Sequence, residues 1–322
     1  MPTKAIGDRI YQIRTPFMEG GTVFLYLLKG DSTALIDTGV VDSPREVLQP
    51  ALAELGMALS DVDLILNTHA HLDHAGGNLE LKRASGARIH VHAGDLPMAN
   101  SLEAQVEFMT APLRAIGFPD EAVQKRAAYV RKAAGQPAGA DVVLAEGDVV
   151  DLGAGMRLRV LHCPGHTPGS VGYYWEPEGV LFTGDSVQGH GSRLGGYPFY
   201  FDAAAYRRTL AALAEVDFRL LCLGHAYVGG GLINEPTREG EEARGLLRES
   251  AQVADAIHRA VVSAIGQRPG ATRREIALAA LSELVYEIPQ LLVRETGMPA
   301  SGGPTLHSHI EAALDGSYPA GA

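Results

Sequence analysis

The stretch THAHLDHAGG (Thr68–Gly77) follows directly on the apolar run Leu64-Ile65-Leu66 and puts three of the chain's 12 histidines and an aspartate into six positions. A short apolar run reads as a strand, so the cluster belongs on the loop where that strand ends. Imidazoles with a carboxylate are donors that suit zinc and that iron, manganese or cobalt also accept. His69, His71, Asp73 and His74 would crowd a single ion, but they could serve two ions a few ångströms apart, as in two-metal hydrolytic sites. A polar turn whose histidines merely cluster is the competing reading.

Two ions need more donors, and other apolar runs end on them: His166 in MRLRVLHCPGH, Asp185 in GVLFTGD and His225 in FRLLCLGH. Singly, each reads as an ordinary turn residue. Their order after HxHxDH, each closing a strand-like run, points to one edge of a sheet where loops carry function.

Around these motifs the chain alternates strands and helices up to about residue 95. Strands are expected near Phe24–Leu28 and Ala34–Asp37, about a Gly30-Asp31 turn. DSPREVLQPALAELG reads as a helix with a capping box of Ser43 and Glu46, Pro44 at its first position, an interruption at Pro50 and a stop at Gly56. Residues 96–139 take helical spacing and carry Phe108 and Met109; packing against the sheet is the first reading and a substrate-covering lid the second. Past His225 an apolar stripe of Leu246, Leu247, Val253, Ile257, Val261 and Ile265 predicts a helix. A capping box of Thr272 and Glu275 opens another, and Pro304 begins a last one. The division expected is a catalytic domain over 1–231 and a helical extension over 232–322 that covers the site.

A formal net charge of −11 argues against a nucleic-acid partner, and two cysteines make no disulfide framework. The first residues hold no long apolar stretch of a secretory signal, and no apolar run reaches the ~20 residues of a membrane span. A cytoplasmic protein acting on a small molecule, with no membrane partner, is the expectation.

Taken in order, HxHxDH, PGHTPGS, GD and GH, preceded by LIDTG with Asp37, resemble the metallo-β-lactamase fold superfamily over about residues 8–230. The resemblance implies an α/β (α+β) chain folded as a four-layer αβ/βα sandwich with metals at one edge. It implies that His69, His71 and His166 hold one divalent ion and that Asp73, His74 and His225 hold a second. Asp185 would bridge the two, and Asp37 would steady the histidine loop by hydrogen bonding. Zinc is the first expectation for both ions, with iron or manganese as alternatives. The implied chemistry is hydrolysis of an ester, thioester or lactone by a hydroxide shared between the metals, with Asp73 orienting it and relaying a proton.

Within the superfamily, the helices after the last histidine are similar to a glyoxalase II-like or lactonase-like branch. The absence of lysine after Lys132 departs from the basic residues with which glyoxalase II holds glutathione. Tyr197, Tyr200, Tyr206 and Tyr227 lie near the last ligands, with Tyr206 and Tyr227 the catalytic candidates among them. Arg193 could grip a substrate carboxylate, and Phe108 and Met109 would line an acyl pocket. Cys163 reads as a small apolar filler and His162 as a neighbour supporting the ligands. The partner expected is a small-molecule acyl substrate, and a homodimer is allowed. Two other functions share the scaffold: an iron-dependent sulfur dioxygenase and a non-enzymatic signalling protein.

Overall fold

Short runs rich in β-branched and aromatic residues, broken by Gly, Asp and Pro, build two sheets in a computed structural model that describes residues 3–17, 21–191, 197–229, 235–287 and 302–319. The first sheet holds β1 (Thr3–Gly7), β2 (Ile10–Phe17), β3 (Gly21–Lys29), β4 (Thr33–Ile36), β5 (Leu64–Leu66), β6 (Arg88–His92) and β7 (Val142–Leu144), side by side in chain order. β1 to β4 pair antiparallel, and β4 to β7 pair parallel. The second sheet holds β8 (Val149–Asp151), β9 (Arg157–His162), β10 (Val171–Trp175), β11 (Val180–Gly184), β12 (Leu220–Leu223) and β13 (Thr237–Glu239). Only β11 and β12 pair parallel there.

The two-residue period of β3 explains the layering. Phe24, Tyr26 and Leu28 face the second sheet, in a core shared with Leu158, Val160, Tyr173 and Phe182. Val23, Leu25 and Leu27 face the opposite way. They pack beneath α1 (Gln49–Glu54) and α3 (Asn78–Ser85), with the one-turn α2 (Leu72–Ala75) between these helices in sequence. The Tyr26 hydroxyl crosses between the sheets to donate to the Leu223 carbonyl at 2.7 Å.

Next come α4 (Leu96–Asn100), α5 (Leu102–Ala115) and α6 (Asp120–Ala133), which form the helical stretch expected at 96–139. Val106, Met109, Val130 and Ala133 bury against Leu72 of α2, so these helices are built onto the histidine loop. α7 (Ala203–Ala214) and α8 (Gly240–Gln267) cover the outer face of the second sheet, completing four layers. Leu246, Leu247, Val253, Ile257 and Val261 of the α8 stripe are buried, each contributing roughly 1.5–3 kcal/mol. α9 (Arg273–Glu287) and α10 (Gly303–Asp315) pack on α8 in a further apolar cluster with Ile116 and Tyr197. Among the described residues no helix is long and apolar enough to cross a membrane.

One local expectation fails. Ser43 is already helical (φ −59°, ψ −37°) and makes no capping bond, and Pro44–Leu48 form a π-helical turn before α1. An N-cap must be extended to aim its oxygen at the first free N–H groups, and this buried serine is not. The Thr272 box does form: Thr272 N–H donates to Glu275 Oε2 at 2.8 Å and Glu275 N–H returns to Thr272 Oγ1 at 3.3 Å. Strands β1, β2, β7, β8 and β13 go unread in the sequence; several are only three residues long, too short for alternation to show.

Candidate metal centre

Parallel pairing decides which loops meet. β4 and β5 pair Ile36 with Leu66, so Asp37 and the histidine loop leave the first sheet at one edge. β9 and β11 both run antiparallel to β10, and β12 runs parallel to β11. His166, Asp185 and His225 therefore leave the second sheet together. The Phe24 N–H donates to the Gly224 carbonyl at 2.8 Å and ties the two edges.

Three overlapping donor groups result: His69 with His71 and His166, His69 with His74 and Asp185, and Asp73 with His74 and His225, the ligand atoms of each lying within 4.8 Å of one another. His166 Nε2 lies 2.8 Å from His71 Nδ1 and 3.1 Å from His69 Nε2. Asp185 stands between the groups, 3.5 Å from the Nε2 of His74 and of His166 and 3.4 Å from that of His225. Asp73 approaches His225 Nε2 at 3.3 Å. Two glycines make room. Gly184 turns at φ +50°, and a side chain at Gly224 would sit 2.4 Å from Asp185 Oδ1.

Hydrogen bonds behind the rings set their inward atoms. His225 Nδ1 donates to the Thr22 carbonyl at 2.6 Å, His74 Nδ1 to Asp37 Oδ2 at 2.8 Å, and His166 Nδ1 to the Phe199 carbonyl. Each ring thus turns an Nε2 lone pair to the centre. His74 Nε2 and Asp185 Oδ1 are buried there with no hydrogen-bond partner. Closely spaced imidazole lone pairs facing a carboxylate fit divalent cations shared among them.

The electrostatics say the same. Burial first, then mutual repulsion, holds His69 and His71 well below the usual histidine range; burial likewise lowers His166, against the pull of Asp185. Burial also works against charge on His225, but Asp185 and Asp73 overcome it and raise that group to about 10. Burial opposes ionisation of Asp185, yet His225 and His74 hold it well below the carboxylate range. Protons here sit where cations are wanted, so metal binding would release them.

Two carboxylates brace the loops. Asp37, at φ +60°, accepts from the Thr68 N–H (2.8 Å), the Thr68 hydroxyl (2.7 Å) and His74. Asp95 is fully buried and joins both histidine loops, accepting from Ala70 N–H at 2.8 Å, Gly169 N–H at 2.7 Å and the Thr167 hydroxyl at 2.8 Å. Burial pushes its carboxyl up, while all three neighbours donate and so favour the ionised form. Asp95 escapes the motif reading although it ends HVHAGD, another apolar run closing on Gly-Asp. Gln188 is missed too: its amide donates to the Asp185 and Phe199 carbonyls, both at 2.8 Å.

The profile of the family described as the metallo-beta-lactamase superfamily matches residues 18–225, more than half of the chain. The chain belongs to that superfamily. A hydroxyacylglutathione hydrolase of Cereibacter sphaeroides (strain ATCC 17029 / ATH 2.4.9) is 34% identical over 194 residues, which is 59% of this chain and 58% of that enzyme. The alignment thus spans less than two thirds of the hydrolase. Human acyl-coenzyme A thioesterase MBLAC2 is 30% identical over 221 residues, 66% of this chain and 75% of the thioesterase. A metallo-beta-lactamase family protein of Thermus thermophilus superposes with a TM-score of 0.64 at 28% identity, over 88% of this chain and 95% of that one.

The substrate-contact candidates named from sequence fall at different depths. Phe108 is half-buried and its ring lies 5.9 Å from that of His71 and 4.2 Å from that of Phe201. With Phe199, 5.1 Å from Phe201, these rings wall one side of the donor cluster. Met109, the next residue, is turned about 100° along the helix and buried behind that wall. Tyr227 is buried, and burial first, then the Asp185 charge, raises its pKa. The Tyr206 hydroxyl accepts from the Gln188 N–H at 3.1 Å, and its ring stacks on Tyr200. Tyr197 is buried near the C-terminal helices. Arg193 lies outside the described residues. Cys163 is buried, and burial pushes its thiol up to about 12. His162 donates to or accepts from no ligand; its Nε2 meets the Pro168 carbonyl at 2.9 Å beside the Gly169 that Asp95 holds.

The C-terminal helices reach this wall. Thr305 of α10 donates to the Pro198 carbonyl at 2.7 Å, His309 meets the Tyr200 hydroxyl at 2.7 Å, and Ser250 of α8 accepts from the Gly189 N–H at 2.9 Å.

Proposed function

We propose that this chain is a hydrolase with two divalent metals, zinc the first choice, that cleaves a thioester or a related ester or lactone. The observation that carries this reading is the position of Asp185, within 3.5 Å of inward nitrogens from both donor groups, so that one carboxylate can serve two ions. His69, His71 and His166 would hold one ion, Asp73, His74 and His225 the other. Such ions supply Lewis acidity toward a carbonyl oxygen and bring the pKa of water toward ~7.

The chain's own groups do the rest. Asp73, on the open side of the cluster, is placed to accept a proton as water attacks and to return it to the leaving group. Tyr227, buried and close enough for the Asp185 charge to raise its pKa, would help orient that carboxylate. Phe108, Phe199 and Phe201 offer an apolar wall for an acyl chain and exclude water beside His71. The names of the relatives, a hydroxyacylglutathione hydrolase and an acyl-coenzyme A thioesterase, favour thioesters over the other carbonyl compounds.

Metal analysis of the purified protein, coupled to a hydrolysis screen over thioesters, lactones and aryl esters, tests the proposal. Two metals per chain and thioester turnover are expected. One iron per chain, with oxygen consumed and no hydrolysis, would move the chain to the sulfur dioxygenase reading.

A further inference from the structure

Arg126 is a cation in an unusual setting. It lies on α6, and its guanidinium sits 5.5 Å from the ring centre of Phe199 and 5.4 Å from that of Tyr129. Phe199 in turn stands 5.8 Å from the ring of His166 and 6.2 Å from that of His71. The charge is therefore one aromatic ring away from two of the candidate metal ligands, on the same wall that would take the acyl chain.

Three other basic residues of these helices have carboxylate partners. Lys125 pairs with Glu121 at 2.8 Å, Arg131 with Glu103 at 2.7 Å, and Arg114 with Glu107 at 2.5 Å. Arg126 has neither an ion pair nor a hydrogen bond among the described residues, although it is half-buried. An arginine stacked on rings keeps its planar edge of five N–H donors free to meet a carboxylate or phosphate bidentately. Burial lowers its pKa, with Tyr129 and Asp73 pulling the other way, which marks the charge as poorly solvated. A half-buried guanidinium with open donors, one ring away from the candidate ligands, is able to receive an anion.

We propose that Arg126 clamps an anionic group of the substrate, a carboxylate or phosphate, and so selects charged thioesters over neutral ones. The proposal rests on the thioester-hydrolase reading and adds to it which substrates are preferred. The anion would lie along the edge of the guanidinium, away from the rings. The scissile carbonyl would then fall between Arg126 and the donor cluster. An anion on the leaving thiol and one on the acyl chain offer the same chemistry.

The test compares wild type with Arg126→Ala, Arg126→Gln and Arg126→Lys in the metal-loaded protein. Four substrates share one acyl or thiol half: a neutral S-acyl N-acetylcysteamine, the same acyl group on 3-mercaptopropionate, the same on phosphopantetheine, and a dicarboxylic monothioester of N-acetylcysteamine. The ratio of KM for the charged substrate to KM for the neutral one should rise roughly tenfold or more in the alanine and glutamine variants, with kcat falling much less, because a charge-assisted bond is lost on binding. The lysine variant should recover part of the loss. The substrate whose ratio changes identifies the source of the anion. Equal KM changes for neutral and charged substrates, or a loss of bound metal in every variant, would make Arg126 a structural neighbour of Asp73 and overturn the proposal. Calorimetry with uncleavable thioether carboxylates and their methyl esters gives the same comparison without turnover. If the wild type hydrolyses no thioester, the functional reading fails, and the calorimetric ratio still decides whether Arg126 binds anions.

Discussion

Asp95→Asn should dissociate the two histidine loops while leaving the volume of the side chain unchanged. Asp95 receives three donors, two of them backbone N–H groups from residues 70 and 169. An asparagine keeps one acceptor oxygen, so whichever way the amide turns, one backbone N–H faces an NH2 group. The lost bond ran to a charged acceptor in a fully buried place, and the orphaned donor cannot reach water. Together these cost roughly 2–4 kcal/mol, or about 3–6 °C in unfolding temperature for a chain of 322 residues. The effect on metal should be lopsided. Ala70 lies between His69 and His71, and Thr167 follows His166, so the group of His69, His71 and His166 loses its alignment. Asp73, His74 and His225 depend on Asp37 and the Thr22 carbonyl, which the substitution does not touch. Affinity for one ion should fall by roughly 10–100-fold, as when a ligand's supporting partner is removed, and affinity for the other far less. Titration against a chromophoric chelator resolves the two steps, and scanning calorimetry gives the unfolding temperature. Unchanged unfolding with equal loss at both steps would refute the clamp.

Other substitutions separate further parts of the argument. Asp185→Asn should lower both metal affinities and cut turnover by orders of magnitude with the circular dichroism unchanged; two tightly held metals and near-normal rates would exclude a shared carboxylate. Gly224→Ala places a carbon 2.4 Å from Asp185 Oδ1 and 2.7 Å from His74, and should reduce bound metal per chain, measured by mass spectrometry of the digested protein. Phe108→Ala should raise KM for long acyl substrates more than for short ones, whereas buried Met109→Ala should cost about 2–4 kcal/mol of stability with little change in acyl preference. Burial first, then His258, holds His309 well below 6.5, so the folded state binds fewer protons than the unfolded one. Stability from this group is full above pH ~6.5 and is lost as the pH falls below it, and His309→Gln should flatten the slope of unfolding temperature between pH ~7.5 and ~5.5; an identical slope would remove His309 as its source.

The donor residues were legible because each belongs to a local pattern: an apolar run that must be a strand, then a ligand at its end. HxHxDH holds four donors within six positions, and nothing distant is needed to see them. The α8 stripe and the Thr272 cap are local in the same sense, since helical period and capping involve neighbours three or four residues away. Residues that act across the fold left no such trace. Asp95 meets residues 70, 167 and 169, Tyr200 meets His309, and Phe199 gains its place because Thr305 holds the loop before it. Periodicity marks a side chain as inward-facing without naming the surface it meets, so Phe108 and Met109 read alike until the wall and the core behind it were both in place. Ser43 shows the limit from the other side, a sequence match to a cap whose backbone had already turned helical. Local patterns select the strands, the caps and the ligand types. The pairing of β4 with β5 and of β11 with β12 brings the ligands to one edge, because contacts between residues far apart in sequence depend on the whole fold closing around them.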